Sequence, residues 1–166
     1  MCLSHLGQIA YGTVATVAVI AFSVALGTDV WVKTAGNEEL GFMQPCVTGS
    51  SECKIWQEYL ADHQVPVFIL LGLSIALVAS GAIYNFTTFF CICCRSFFLL
   101  PLLGLALASV LTSGPLLYLV YRGYETLGAN QTLAKHDPGY SFYIAGAGGL
   151  ACVINIIVGA ITLRWT

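Results

Sequence analysis

A left-handed bundle of four membrane-spanning helices, capped outside by an antiparallel β-sheet from the first loop, is the fold this sequence predicts. Four uncharged apolar stretches of spanning length fill most of the 166 residues, and only one of the gaps between them is long enough to fold. Hydrophobic residues make up 58% and charged ones 8%, against about 25% charged in an average soluble domain. A chain so poor in polar groups cannot cover a water-facing surface. The class is therefore membrane α+β, with residues 1–166 forming a single tetraspan domain.

The stretches run over residues 6–27, 65–84, 96–121 and 138–163. A helix rising about 1.5 Å per residue needs ~20 apolar residues to cross a hydrocarbon layer roughly 30 Å thick, and each stretch supplies them. The first has no basic leader and no cleavage site, so it reads as a retained span rather than a signal peptide. The first loop, 28–64, carries Asp29, Glu38, Glu39, Glu52, Glu58 and Asp62 against Lys33 and Lys54, a local charge of −4. Residues 28–34 alternate in character and are rich in β-branched side chains, as a strand leaving the membrane would be. After a charged turn at 37–39, Cys46 and Cys53 bracket the two strands of a predicted hairpin, and residues 57–64 lead helically into the second span. Cys91, Cys93 and Cys94 close that span, in a short loop at 85–95.

Pro115 stands inside the third span, where it removes a backbone donor from the Leu111 carbonyl and predicts a bend. Pro66 and Pro101 fall near the predicted helix starts, where proline costs little. Burying Leu against Leu gains little in lipid, so small residues must hold the spans together. The fourth span offers Ala145 to Gly149 and Gly159, the third Gly104, Ala108, Ser109, Ser113 and Gly114, and the second Gly72, Ser74, Ala76 and Gly81. No heptad run is evident. Asn155 is the polar residue deepest in a span, with Gln8 near the edge of the first, and Asn155 is expected to hydrogen-bond inside the bundle. No ionisable residue lies mid-span, which argues against a proton relay or ion-coupled transport.

The six Lys and Arg are scattered singly, so loop charge says little about orientation and no basic patch offers a nucleic-acid surface. Cysteine chemistry says more. A pair in a polar loop suits a disulfide, which persists outside the cell, whereas Cys91, Cys93, Cys94 and Cys2 at the membrane edge suit cytosolic S-acylation. This places the first loop outside and both termini inside. Of two glycosylation sequons, only that at Asn130 lies on the permitted face, since Asn85 falls inside. His5, His63 and His136 are far apart, so no metal site emerges, and no cofactor motif is present. Cys91 and Cys94 form a C-x-x-C, but a whole span of roughly 30 Å separates them from Cys53, so the two pairs cannot exchange electrons as in a thiol oxidase.

Trp31, then Gly41-Phe42-Met43, then Cys46 and Cys53 resemble the first-loop signature of the claudin superfamily of tetraspan proteins. That family includes claudins, peripheral myelin and epithelial membrane proteins, and channel-associated gamma subunits. Met43 stands where the signature has its second Trp, and the cysteine spacing is short. The resemblance implies a non-enzymatic plasma-membrane protein of cell–cell contacts that self-associates in cis and trans, or with related tetraspans, through its outer loops. It would form or regulate a paracellular barrier or channel, with Trp31 anchoring the sheet at the membrane surface. If the loops line such a space, Glu52, Glu38 and Glu39 are the acids that would favour cations. The same resemblance allows an auxiliary subunit clamped to a larger channel or receptor.

Overall fold

The computed structural model describes residues 2–28, 30–33, 39–43, 51–89, 95–129 and 137–164. In chain order the elements are α1 (Cys2–Thr28), β1 (Val32–Lys33), β2 (Glu39–Leu40), α2 (Ser51–Phe89), α3 (Arg95–Ala129), β3 (Asp137–Pro138) and α4 (Tyr140–Arg164). All four helices are long and apolar enough to cross a membrane, as those of a multi-pass membrane protein must be. Each packs against two neighbours, so that α1, α2, α3 and α4 close a ring in which α4 returns to α1.

The buried positions explain why the ring closes. In α4 the buried Ser141, Ala145, Gly148, Cys152, Asn155, Gly159 and Thr162 step alternately by four and three, with Gly149 and Ala151 buried beside them. In α1, Gln8, Tyr11, Ala15, Ala18, Phe22 and Ala25 step in the same way, and in α3 so do Leu102, Ala106, Ser109, Ser113, Leu116 and Val120. A heptad seam is therefore present, contrary to the sequence reading. It is written in Ala, Gly, Ser and Asn, and it escapes a search for apolar periodicity because the opposite, lipid-facing side is just as apolar. Leu111 is 73% exposed and Phe86 67%, which is tolerable only in contact with hydrocarbon.

Small residues set the helix spacing. A side chain at Gly7 would strike the Thr162 side chain of α4, and one at Gly148 would meet the Phe22 ring at 3.1 Å. Polar cross-links reinforce the seam: Tyr11 donates to the Leu102 carbonyl (3.0 Å), Ser74 to Thr112 Oγ1 (2.9 Å), and Asn85 Nδ2 to the Gln8 carbonyl (2.9 Å). With its amide nitrogen toward Tyr11, Asn155 donates to the Tyr11 carbonyl and accepts from the Ala15 N–H, both at 3.2 Å. The expected bond inside the bundle thus ties α4 to α1.

Several boundaries differ from expectation. Among the described residues the first strand is Val32–Lys33, and α1 continues to Thr28, where the strand was expected to begin. Helix α2 begins at Ser51, so 51–64 is helix and Cys53 stands in its first turn rather than on a hairpin strand. Its 39 residues span about 58 Å, nearly twice a bilayer core, and Pro66 lies well inside it rather than near its start. At the other end α2 continues to Phe89, so Asn85 belongs to the bundle and not to a loop. Helix α3 runs unbroken through Pro101 and Pro115; Pro101 is six residues beyond its first residue rather than at it.

Candidate functional site

The three strands form one antiparallel sheet in the order β2-β1-β3, with Val32 opposite both Leu40 and Pro138, and Lys33 opposite Glu39 and Asp137. Backbone bonds extend the pairing toward the bundle: Trp31 donates to the Leu40 carbonyl (3.0 Å), Gly139 to the Trp31 carbonyl (2.8 Å) and Ser141 to the Val30 carbonyl (3.0 Å). Strand β3 thus comes from the connection between α3 and α4, which joins the sheet directly. Ser141 makes the junction. Its hydroxyl accepts from the Val30 N–H at 2.9 Å and lies 2.8 Å from the Thr28 hydroxyl, locking the end of α1 to the start of α4.

An aromatic layer packs against the sheet. Trp31 meets Phe42 edge-on with centroids 5.2 Å apart, and Phe42 in turn contacts Trp56 (5.5 Å) and Phe68 (6.1 Å). Trp56 stacks on Tyr59 (5.8 Å), and Tyr59 lies nearly parallel to His63 at 4.2 Å. Edge-to-face and offset contacts of this kind add to the stabilisation that burial alone supplies. Hydrogen bonds tie the same residues to the backbone: the Trp56 indole donates to the Gly41 carbonyl (2.9 Å), Gln64 to the Phe42 carbonyl (2.8 Å), and the Tyr59 hydroxyl to the Leu119 carbonyl of α3 (2.6 Å).

The signature residues divide into two groups. Trp31 and Phe42 meet each other, Gly41 and Phe42 meet Trp56, and Cys53 stands one turn before Trp56 on α2; all four signature residues are buried. Trp31 is only 2% exposed, so its ring is a core element and does not lie on the membrane surface as expected. An interfacial anchor must touch head groups; this one touches Phe42. Met43 is 58% exposed.

Among the acids, Glu39 pairs with Lys33 at 3.3 Å, both roughly half exposed, and the Lys33 ammonium also sits 5.7 Å from the Tyr140 ring. Glu39 is therefore a partly compensated charge. Glu58 and Asp62 are exposed one turn apart on the N-terminal part of α2. Glu38, Cys46, Cys91, Cys93, Cys94 and Asn130 lie outside the described residues, as do the side chains of Glu52 and Cys2. The sequence reading missed Trp56, Gln64, Gly139 and Ser141 as parts of this centre. Ser141 was detectable in principle, as the one aliphatic hydroxyl in the aromatic first turn of a largely apolar helix. No family model matches this chain, and no curated protein matches it.

Proposed function

We propose that this chain is a claudin-like junction or adhesion protein, a non-enzymatic element that self-associates through its outer loops to form or regulate a paracellular barrier or channel. The observation that carries this reading is the convergence of Trp31, Gly41, Phe42 and Cys53 on one short sheet fed by both outer loops. Strands β2 and β3 form the two edges of that sheet, and an edge strand offers backbone donors and acceptors to a neighbouring molecule. The Cys53 sulfur is held in a disulfide, which supports the pairing with Cys46 and an oxidising compartment for this end. On that orientation the sheet faces outward and both termini face the cytosol. The alternating four-and-three spacing of buried residues supports a left-handed supercoil.

Freeze-fracture of cells that express only this protein tests the reading. Continuous strands at cell contacts are expected, and dispersed particles would count against it.

An auxiliary subunit of a channel or receptor is the second reading. It is favoured by the exposed tyrosines Tyr118, Tyr121, Tyr140 and Tyr143 on the sheet-side halves of α3 and α4, a surface able to clamp a larger membrane partner. Affinity purification from native membranes separates the two. Copies of the same chain support the junction reading, and a channel in fixed stoichiometry supports the other.

A further inference from the structure

At the end of the bundle farther from the sheet, α1 and α2 enclose a groove of about 330 Å³ that opens sideways, toward lipid. Its α1 wall is the stripe Ile9, Gly12, Thr13 and Thr16, and its α2 wall is Asn85 and Phe86. Gln8, whose amide carries both a donor and an acceptor, completes the α1 wall, and the oxygens of the other polar side chains share one character. Thr13 and Thr16 are exposed, yet their hydroxyl protons are already given to the carbonyls of Ile9 (2.9 Å) and Gly12 (2.8 Å). Their oxygens therefore present only lone pairs to the groove. Asn85, 6% exposed, commits its nitrogen to the Gln8 carbonyl, while its Oδ1 is buried with no hydrogen-bond partner. Acceptors without donors at membrane depth are costly, and each lacks the same thing.

From this we infer that the groove binds a sterol, whose single hydroxyl brings the missing donor. Ester-linked phospholipids offer carbonyl acceptors at this depth and would leave the deficit in place. Among the described residues no Lys or Arg lines the groove to hold a phosphate, which further disfavours a phospholipid head group. Shape points the same way. Gly12 leaves the floor flat, since a side chain there would meet Asn85 Nδ2 at 2.8 Å. The Phe86 ring, 67% exposed, supplies an aromatic wall for a rigid fused-ring body. From Gln8 to Thr16 the groove follows α1 for about 12 Å, with Gln8 and Asn85 joined at one end and Thr13 and Thr16 deeper. The inference is independent of the function proposed above.

The test uses the full chain in phosphatidylcholine vesicles containing a trace of cholesterol with a photoreactive diazirine on its ring system. Adducts are expected on residues 9–16 and on Phe86, and unlabelled cholesterol should compete for them. Cholest-4-en-3-one, which keeps the shape but cannot donate, should compete about two- to tenfold less well, the range of one hydrogen bond. Thr13→Val combined with Thr16→Val should lower labelling by a similar factor while leaving thermal unfolding unchanged. Asn85→Leu should lower it further, and the threonine variants keep the test valid if that protein fails to fold. Equal competition by the ketone, adducts spread over other lipid-facing surfaces, or equal labelling of the same residues by a diazirine-bearing phosphatidylcholine would each overturn the assignment.

Discussion

The peptide nitrogen of Gly139 donates to the carbonyl of Trp31 at 2.8 Å, and the two backbones are too close for any side chain to fit between them. A Cβ at Gly139 would collide with the Val30 carbonyl and stand 2.7 Å from the carbonyl carbon of Trp31. Neither is a flexible side-chain end that could move aside. Gly139→Ala should therefore destabilise the protein by about 2–3 kcal/mol, read as a lower midpoint of unfolding in mixed micelles. Ser141→Ala, which removes a hydroxyl bonded to Val30, should cost about 1 kcal/mol. Equal effects would mean that the close approach is less constrained than its geometry indicates.

Trp56 joins α2 to the turn after β2 through one hydrogen bond to Gly41. Trp56→Phe keeps an aromatic ring but leaves a buried carbonyl unpaired, so a loss of about 1–3 kcal/mol is expected. Limited proteolysis should then cut the first outer loop faster while the spans remain protected. A uniform loss of protection across the chain would show that Trp56 supports the whole bundle rather than the sheet.

Gly148 of α4 faces the Phe22 ring of α1. A methyl group there meets the ring at 3.1–3.2 Å, so Gly148→Ala requires Phe22 to yield by only a few tenths of an ångström and should be mild. Gly148→Leu cannot be accommodated and should prevent folding, seen as loss of the monodisperse peak on size exclusion. Phe22→Ala combined with Gly148→Leu should recover part of the folded yield.

Under the junction reading, Lys33 offsets the charge of Glu39 through their 3.3 Å pair. The pair is exposed, so Lys33→Gln should alter stability by no more than about 0.5 kcal/mol. In tight monolayers the same change should raise cation preference in dilution-potential measurements, and Glu39→Gln should lower it less than Glu52→Gln does. Selectivity indifferent to all three would remove the acidic loop from the pathway.

How far the fold could be read in advance depended on what each residue type reports. Charge-free length located all four helices, because lipid imposes it on any span. It located the helical lead-in over 57–64 but not the first turns of α2, where Ser51 to Trp56 carry Glu52 and Lys54 yet are helical; there burial of Cys53 and Trp56 outweighs the polar composition. Asn85 was placed in a loop for the same reason, although its amide bonds the Gln8 carbonyl. Trp31 was misplaced because an aromatic ring at a membrane edge and one in a core look alike in one dimension. The convergence of Trp31, Gly41, Phe42 and Cys53 was legible only as a resemblance, since nothing in their spacing requires them to meet. The groove beside Gly12 left no trace in the pattern, because Thr13 and Thr16 read as ordinary β-branched span residues.

The seam of Gly7, Ala15, Gly148 and Gly159 confines strict requirements to about two positions in every seven. The remainder of each span need only stay greasy, so Leu, Ile, Val and Phe are nearly interchangeable there. Chains built to this plan can diverge across most of their outer surface while the backbones keep their distances. Shared ancestry in such a lineage is best sought in the rhythm of its smallest residues.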